Sequence, residues 1–499
     1  MKARVKIDPE RIVGRIDPNI YGQFMCRRAG CSEGGLYDPE HSSADAYGIR
    51  QDVSGMVADL KPPLVRWPGG CTGTSYHWMD GVGPKAARPK KIDLHFGWPA
   101  SYDFGTVEFI EWCRRVGAEP HMNLAMGTGS LDEALSWLEY CNSTWDTQFA
   151  NLRRQHGYED PLGVKYWQLG NENYGPWEIG HSTATGYAEE AREWSKVMRR
   201  LDPSIKMIAV GGHDHYNPDW ARTVIPEVAP YVDYIAFHTY WNEPSGDDPW
   251  TAIMSGPDEA GQLIGLIHQI IQTVKHKRPE PRKGAPRDLK VACTEWNAAP
   301  TDTMMRHHPE FRPFGPTYHL REALAVASFL NIMQRRCNQI TLSTVAQSIN
   351  VVGLVMVNDQ GAWREPVYWP LWMQVRHSGP LALDAWVACD RFSDHKRRMF
   401  DMPYLDCSCT LDPDAKKLHI SMVNRSETEP IDVDICVQDA LVKAEGQLAS
   451  LYHVDSMAMN SPGDPDNVSV VESRLSDLGE SFTWELKPHA YEILTLELT

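Results

Sequence analysis

Two glutamates in this chain each come just after an apolar, strand-like run. Glu172 follows Val164–Leu169, and Glu295 follows Leu289–Cys293. If both runs are strands of one parallel barrel, both carboxylates lie at the same rim, because parallel strands end at the same face. A pair of carboxylates about 5 Å apart is the catalytic set of retaining glycoside hydrolysis. The sequence therefore suggests that chemistry as the first hypothesis.

The two glutamates are expected to have different roles. We expect Glu172 to be the general acid and base, because partial burial and a nearby carboxylate raise the pKa of a carboxyl group. Glu295 would be the nucleophile, kept ionised by hydrogen-bond donors. Asn171 could donate to a sugar 2-OH, a contact that strengthens in the transition state. Either motif alone is also typical of a polar turn, so the hypothesis depends on both lying at strand ends.

The first 380 residues alternate strand-like and helix-like segments. Apolar residues repeat at helical spacing from Leu263 to Val274 and from Leu324 to Met333, and Tyr187–Leu201 ends at the helix stop Asp202-Pro203. Eight alternations predict an α/β fold, a (β/α)8 TIM barrel. A doubly wound open sheet is the alternative, but the sequence has no Gly-rich dinucleotide fingerprint. The candidate strands are Ile20–Gln23, Leu64–Trp67, His121–Met126, Tyr166–Leu169, Met207–Gly211, Tyr234–His238, Val291–Thr294 and Ile340–Val345.

After about residue 380 the pattern changes to short segments that alternate at period two. Leu418–Val423 and Tyr491–Leu496 are clear examples, and turn residues separate such segments. They predict an all-β sandwich. The opening strand, Arg4–Ile7, precedes the barrel and is expected to join that sandwich. We therefore predict residues 1–15 as a strand of the sandwich, 16–380 as a catalytic barrel and 381–499 as the C-terminal β-sandwich domain.

Composition argues against some classes of partner. The chain has 499 residues and a formal net charge of −17, and such an acidic balance argues against a nucleic acid. Met1–Asp8 has no apolar signal-peptide core, and no uncharged apolar run reaches the roughly 18 residues of a membrane span. The 11 cysteines are dispersed, without a zinc-like spacing, which is typical of reduced thiols in a cytoplasm. We expect a cytoplasmic protein without membrane association, metal or cofactor.

Eight short motifs extend over most of the chain: Ile20–Gly22, Gly34–Pro39, Leu64–Cys71, Tyr76–Pro84, Phe104–Thr106, Gly117–Pro120, Gly170–Trp177 and Glu295–Asn297. Any one of them is weak, but their order and spacing resemble glycoside hydrolase family 51, known mainly for retaining α-L-arabinofuranosidases. The resemblance implies a (β/α)8 barrel with a β-sandwich, and an arabinose-containing oligosaccharide or polysaccharide as substrate. It also implies no metal and usually a homo-hexamer.

The resemblance also assigns roles to single residues. It matches Glu172 to the acid/base, Glu295 to the nucleophile and Asn171 to the residue that holds the sugar 2-OH. His238 and Tyr240, at the end of the sixth strand, resemble the pair that orients the nucleophile and closes the pocket. The other matches are Cys71 lining the sugar subsite, Gln347 contacting the sugar after the eighth strand, and Trp98 near the leaving-group side.

Some of these positions have a structural alternative. For Trp98 and Tyr240 it is ordinary packing at the rim, since aromatic residues are common inside proteins. Arg66 either bridges carboxylates at the strand end or forms a buried structural ion pair. His213-Asp214-His215 and His307-His308 resemble metal-ligand spacings, but such pairs in loops are more often polar residues exposed to solvent.

One position departs from the family pattern. After Ile-Tyr-Gly-x-Phe the family usually carries a Glu that grips the arabinofuranose hydroxyls, and Cys26 stands there. A thiol is only a weak hydrogen-bond acceptor, and losing a charged hydrogen bond costs about 1.5–3 kcal/mol. Arg27 and Arg28 also bring positive charge near this rim. We therefore expect altered glycone specificity or weak arabinofuranosidase activity, with another furanoside or an acidic sugar as candidate substrates.

The leading prediction is a retaining exo-glycosidase that releases terminal α-L-arabinofuranosyl residues by double displacement. One alternative keeps the fold and mechanism but acts on a galactofuranoside, or as an endo-enzyme on β-glucan or xylan. Another alternative is a non-catalytic sugar-binding protein. Retention of both glutamates together with Asn171, His238 and Tyr240 argues against that last alternative.

Overall fold

The structure, a computed structural model, describes residues 1–27, 30–213, 219–242, 248–277, 288–299, 317–358 and 361–499. None of the helices in these ranges combines the length and apolarity needed to cross a membrane.

In the described ranges the α-helices are α1 (Gln51–Asp59), α2 (Thr106–Val116), α3 (Leu131–Asn142), α4 (Gln148–Gln155), α5 (Ala184–Leu201), α6 (Trp220–Val228), α7 (Pro249–Lys277), α8 (Leu320–Arg335) and α9 (Tyr368–Arg376). The strands are β1 (Lys2–Ile7), β2 (Ile12–Arg15), β3 (Gly22–Phe24), β4 (Leu64–Trp67), β5 (Lys91–Ile92), β6 (Pro99–Ala100), β7 (Glu119–Asn123), β8 (Tyr166–Leu169), β9 (Lys206–His213), β10 (Tyr234–Trp241), β11 (Lys290–Ala298), β12 (Ile340–Ala346), β13 (Val355–Asn358), β14 (Gly361–Arg364), β15 (Leu381–Leu383), β16 (Trp386–Cys389), β17 (Arg391–Asp394), β18 (Met399–Pro403), β19 (Leu405–Asp412), β20 (Lys417–Asn424), β21 (Ile431–Val437), β22 (Val442–Leu451), β23 (Val470–Leu475), β24 (Ser481–Leu486) and β25 (Tyr491–Leu498).

Eight strands close into a barrel in the order β3, β4, β7, β8, β9, β10, β11 and β12. All neighbours in the barrel pair in parallel. Each of the eight strands expected from the sequence overlaps one of them, so the (β/α)8 prediction is confirmed. The barrel interior is packed rather than open, as is usual for this fold. Its inward-facing cluster consists of Leu64, Tyr166, Ile208, Ala236, Ala292 and Leu342.

The helices begin and end at residues that satisfy their free backbone groups. The side chain of Ser130 accepts a hydrogen bond of 3.2 Å from the backbone N–H of Glu133 and so caps α3. Helix α2 ends at Gly117, whose φ of 76° is the left-handed conformation that favours glycine. Helix α5 ends before Asp202-Pro203, as the sequence indicated.

Helix α8 is buried on almost every side. Its Asn331 and Arg335 both donate hydrogen bonds to the carboxylate of Asp406 on β19, at 2.8 and 2.6 Å. An all-round apolar helix is stable only where both sides are covered. Helix α8 therefore lies between the barrel strands and the strands of the C-terminal sheets.

Most of the C-terminal strands, together with β1 and β2, form two sheets, and β17 and β18 pair with each other separately. One has the order β2, β15, β19, β20, β25, β22, β23 and the other β16, β1, β21, β24. Alternating side chains such as Val5, Ile420, Val433 and Leu494 meet in a common core, as expected for a β-sandwich. Strand β1 pairs in parallel with β21 and antiparallel with β16. This pairing supports the division at residues 15 and 380, which stays a prediction.

A buried carboxyl group near the start of α8 gives the fold a pH dependence. Glu365 accepts hydrogen bonds from the backbone N–H groups of Thr317 and Tyr318 and from the indole N–H of Trp363. Burial, together with the charge of Glu322, raises the pKa of Glu365 from 4.5 to about 8. The folded protein therefore retains a proton that the unfolded chain releases between these two values.

We predict that this proton makes the protein lose stability as the pH rises from about 4.5 to about 8, because the unfolded state binds fewer protons there. Glu365→Gln cannot ionise, so its melting temperature should fall less with pH than that of the wild type. Differential scanning calorimetry across this window measures the two slopes. The exposed Glu445→Gln is the control and should keep the wild-type slope. Equal slopes for the wild type and Glu365→Gln would contradict the assignment.

Candidate active site

The residues singled out in the sequence lie at or just beyond the C-terminal ends of barrel strands, where sites of this fold form. Asn171 and Glu172 follow β8, and Glu295 is in the last part of β11. The others lie on β4 (Arg66) and β10 (His238 and Tyr240) or follow β3 (Cys26), β4 (Cys71) and β12 (Gln347), while Trp98 comes just before β6 in a longer loop.

The two glutamates are close together. One carboxylate oxygen of Glu172, one of Glu295 and one ring nitrogen of His238 all lie within 4.8 Å of one another. Glu172 is 9% exposed and Glu295 7% exposed, so each is buried yet reaches the rim. Retaining glycosidases hold their two carboxyl groups about 5–5.5 Å apart, and inverting enzymes hold them farther apart to admit a water.

Glu295 is held by one cation and one hydroxyl. Nη1 of the fully buried Arg66 donates to Oε1 at 2.7 Å, and the hydroxyl of Tyr240 donates to Oε2 at 2.8 Å. Gly70 approaches the same carboxylate so closely that a Cβ there would lie 2.2 Å from Oε1. The double glycine of the motif therefore provides the space that Glu295 occupies.

Glu172 has a strained backbone and a separate set of partners. Its φ of 43° is unusual for a residue with a side chain, and such conformations cluster at functional sites. The indole N–H of Trp177 donates to Oε2 at 2.7 Å, and Nδ1 of His238 lies 2.8 Å from Oε1. The expected pair on β10 is thus divided: Tyr240 contacts Glu295, whereas His238 contacts Glu172 and is 4.0 Å from Glu295.

Asn171 is fixed at both ends of its amide. Nη2 of Arg66 donates to Oδ1 at 2.7 Å, and Nδ2 donates to Oε2 of Glu178 at 2.8 Å. Glu178 is therefore part of the site. Burial raises the pKa of Glu178 to about 7. Only its spacing of seven residues from Asn171, across a tight turn, could have indicated this role.

The thiol of Cys71 lies beside Asn171 and Glu178. Its Sγ is 4.0 Å from Nδ2 of Asn171. Burial and the charges of Glu178, Glu172 and Glu295 raise its pKa well above the usual range. Cys71 is therefore a neutral thiol at the edge of the catalytic pair, where the sequence predicted a residue lining the sugar subsite.

Gln347 and Trp98 remain candidate sugar contacts. Gln347 is 6% exposed, and its buried Oε1 has no hydrogen-bond partner among the described residues, so it is available to a ligand hydroxyl. Trp98 stacks on Phe96 with the ring centroids 4.9 Å apart. The same loop brings Nδ1 of His95 to 3.7 Å from Oε1 of Glu178, so the loop reaches the site.

Cys26 is buried beside the same rim, with its Sγ 3.2 Å from Oγ1 of Thr72. Its neighbour Arg27 is also buried, and the guanidinium packs on the rings of Tyr76 and Tyr102 at 5.1 and 4.1 Å. Arg27 is thus committed to internal contacts rather than to an acidic sugar. Arg28 lies outside the described residues.

Two side-chain groups in the described ranges have the geometry to hold a metal ion: Glu172 with His238 and Glu295, and Cys71 with His95 and Glu178. The first is the glutamate pair itself. Of the histidine motifs noted in the sequence, Asp214, His215, His307 and His308 lie outside the described residues.

The chain matches two family models. Residues 56–252 match the α-L-arabinofuranosidase 1 domain, and residues 294–490 match the α-L-arabinofuranosidase C-terminal domain. Together the two matches include the barrel strands that carry Arg66, Glu172 and Glu295, and most of the C-terminal sheets.

Relatives and solved structures agree with these models. A probable α-L-arabinofuranosidase C of Aspergillus niger is 35% identical over 86% of this chain and 85% of its own length. The intracellular exo-α-(1→5)-L-arabinofuranosidase 1 of Bacillus subtilis is 30% identical over 99% of both chains. The arabinose complex of the Thermotoga maritima α-L-arabinofuranosidase superposes with a TM-score of 0.90 at 32% identity over 100% of both chains. The family 51 enzyme of Thermotoga petrophila gives 0.89 at 32% identity, over 99% of this chain and 100% of its own. The chain therefore belongs to glycoside hydrolase family 51, the family of these α-L-arabinofuranosidases, and is a glycosidase.

Proposed function

We propose that this protein is a retaining exo-α-L-arabinofuranosidase that releases terminal arabinofuranosyl residues from arabinose-containing oligosaccharides or polysaccharides. The observation that carries the proposal is the short distance between Glu172 and Glu295. One carboxylate oxygen of Glu172 lies within 4.8 Å of one carboxylate oxygen of Glu295. That spacing suits direct attack by one carboxylate better than attack by an intervening water.

In the first step Glu172 donates its proton to the glycosidic oxygen, and the bond from this oxygen to the anomeric carbon breaks. An oxygen of Glu295 bonds to the anomeric carbon as the leaving alcohol departs. The hydrogen bonds from Arg66 and Tyr240 hold the carboxylate of Glu295 in position for this attack. In the second step Glu172 takes a proton from water, the water oxygen attacks the anomeric carbon, and Glu295 leaves as a carboxylate.

The amide groups of the site suit the sugar hydroxyls. Arg66 and Glu178 fix the orientation of Asn171, and its Nδ2 also lies 4.0 Å from Sγ of Cys71. Oε1 of Gln347 offers an acceptor. We assign Asn171 to the sugar 2-OH and Gln347 to another hydroxyl, with Cys71 and Trp98 lining the pocket on opposite sides of the bond that is cleaved.

Cys26 supports a second candidate substrate, a galactofuranoside. The carboxylate that would grip arabinofuranose hydroxyls is replaced by a thiol directed at Thr72. A site without that carboxylate depends less on one hydroxyl pattern. Endo action on β-glucan or xylan has no such observation in its favour, because the glucanase-like structural neighbours are only 13% identical and share the fold alone.

The cellular setting is also a proposal. The Bacillus subtilis relative is intracellular by its name, and the dispersed cysteines suit a reducing cytoplasm. We therefore propose a cytoplasmic enzyme acting on imported oligosaccharides. The homo-hexamer implied by the family resemblance is part of the same proposal, and sedimentation equilibrium of the purified chain tests it.

We predict that azide distinguishes the two glutamates. In Glu295→Ala, azide replaces the nucleophile and gives the glycosyl azide of inverted configuration. In Glu172→Ala the covalent intermediate still forms, so azide gives the retained configuration, and without azide kcat falls about 10²–10⁴-fold. Proton NMR of the product from a nitrophenyl α-L-arabinofuranoside identifies each anomer. The control is Glu193→Ala on the exposed side of α5, which should keep wild-type turnover. The same azide anomer from both active-site variants would contradict the roles.

Arg66→Lys should lower kcat by about 10- to 100-fold, because a single ammonium cannot reach both Glu295 and Asn171 and at least one charged hydrogen bond is lost. Steady-state kinetics and the melting temperature are measured together. The matched control is Arg88→Lys, which disrupts another buried two-pronged pair, that with Glu108. It should lower the melting temperature but not kcat. Wild-type kcat in Arg66→Lys would show that Arg66 acts only as a structural ion pair.

Cys26→Ala should change the ratio of kcat/KM between nitrophenyl α-L-arabinofuranoside and nitrophenyl β-D-galactofuranoside by about tenfold, because the thiol takes the place of the expected sugar-binding group. Cys113→Ala, which removes a buried thiol from α2, is the control and should leave the ratio unchanged. Fast arabinofuranoside turnover that is unaffected in Cys26→Ala would rule out altered specificity. Xylan and a linear β-glucan complete the substrate panel.

A further inference from the structure

A second group of metal-ligating side chains lies next to the catalytic glutamates and takes no part in the proposed reaction steps. Sγ of Cys71, one ring nitrogen of His95 and an oxygen of Glu178 all lie within 4.8 Å of one another. A cysteine thiolate, an imidazole and a carboxylate are each groups that bind zinc in proteins. Chance clustering of acidic surface groups does not produce this set, because only one of the three is a carboxylate.

Three separate loops bring the ligands together. Cys71 follows β4, His95 lies in the loop between β5 and β6, and Glu178 lies in the loop after β8. Glu178 is 4% exposed, whereas Cys71 and His95 are half-buried, so the cluster is open to solvent on one side.

The carboxylate of Glu178 is already oriented by other groups. Its Oε1 accepts hydrogen bonds from the hydroxyl of Thr74 at 3.0 Å and from the backbone N–H of Ile179 at 2.9 Å. Such outer contacts are what fix metal-ligating carboxylates in known sites.

The spacing of His95 and Glu178 suits a shared ion better than a direct hydrogen bond. Nδ1 of His95 is 3.7 Å from Oε1 of Glu178, which is beyond hydrogen-bond range. Bonds of about 2.0–2.1 Å at a tetrahedral zinc place two ligand atoms about 3.3–3.4 Å apart. A movement of a few tenths of an ångström by the His95 loop would bring these two atoms to that separation.

We propose that Cys71, His95 and Glu178 form a binding site for a divalent cation of the zinc type. The cation takes one bond from each side chain and a water in the fourth position. On binding, the Cys71 thiol becomes a thiolate and its proton passes to the solvent. No change of oxidation state is involved.

Occupancy of this site would reduce glycoside turnover, a consequence that rests on the proposed function. Oε2 of Glu178 accepts the hydrogen bond that orients Asn171. A cation bound to this carboxylate draws negative charge from it, which weakens the hydrogen bond from Asn171, and adds positive charge beside Glu172 and Glu295. The site therefore makes the enzyme sensitive to zinc.

Cobalt(II) tests the site without depending on activity. The full-length protein is freed of metal with a chelator and titrated with Co²⁺, which gives a thiolate charge-transfer band and tetrahedral ligand-field bands when a cysteine binds it. We expect one equivalent of Co²⁺ to give both features and Zn²⁺ to displace it. Cys71→Ser should lose the charge-transfer band, and His95→Gln should weaken Co²⁺ binding at least about tenfold. Cys113→Ser, which removes a buried thiol elsewhere, should keep the wild-type spectrum and affinity.

The possible outcomes test the metal site and the proposed glycosidase function separately. The metal site is overturned if the wild type shows no charge-transfer band, or if the band is unchanged in Cys71→Ser. Ligand-field bands without a charge-transfer band would place Co²⁺ on the cluster of Glu172, His238 and Glu295. Protection of Cys71 from alkylation by Zn²⁺, read by mass spectrometry on the wild type, provides a check that needs no variant, and its absence also overturns the site. A cobalt spectrum as expected, in a protein inert on every furanoside, would support the site and reject the proposed function.

Discussion

The guanidinium of Arg66 is the interaction on which the site depends. It is fully buried at the end of β4, and it reaches Glu295 on β11 and Asn171 after β8 at the same time. Removing a charge from water costs several kcal/mol, and only close, well-aligned partners offset that cost. Because the partners come from separate parts of the barrel, the buried charge fixes the ends of β4, β8 and β11 relative to one another.

That arrangement explains the difference between the two carboxylates. Glu295 accepts hydrogen bonds from the guanidinium of Arg66 and from the phenol hydroxyl of Tyr240. Glu172 has an indole donor and an imidazole instead. The two glutamates thus have distinct environments, as a two-step reaction with one proton donor requires.

Much of this could be predicted from the sequence. The eight strands are visible because each short apolar run is followed by polar residues, and the two glutamates stand out because each follows such a run. The partner of His238 could not be predicted, since β10 and β11 pair with a register shift between Phe237 and His238. Glu178 and His95 were missed for a related reason. Their positions depend on a tight turn after Glu172 and on the long excursion between β4 and α2, neither of which has a periodic pattern.

Gly70 also limits how this site can change during evolution. Any side chain at this position would collide with the carboxylate of Glu295, so a substitution there displaces the catalytic group. Cys26, His95 and Trp98 lie on loops or beyond strand ends, where replacements leave the buried Arg66 contacts intact. New substrates are therefore expected to arise through changes at these outer positions, while the glycine stays fixed. The barrel separates the part of the site that evolution can vary from the part that it cannot.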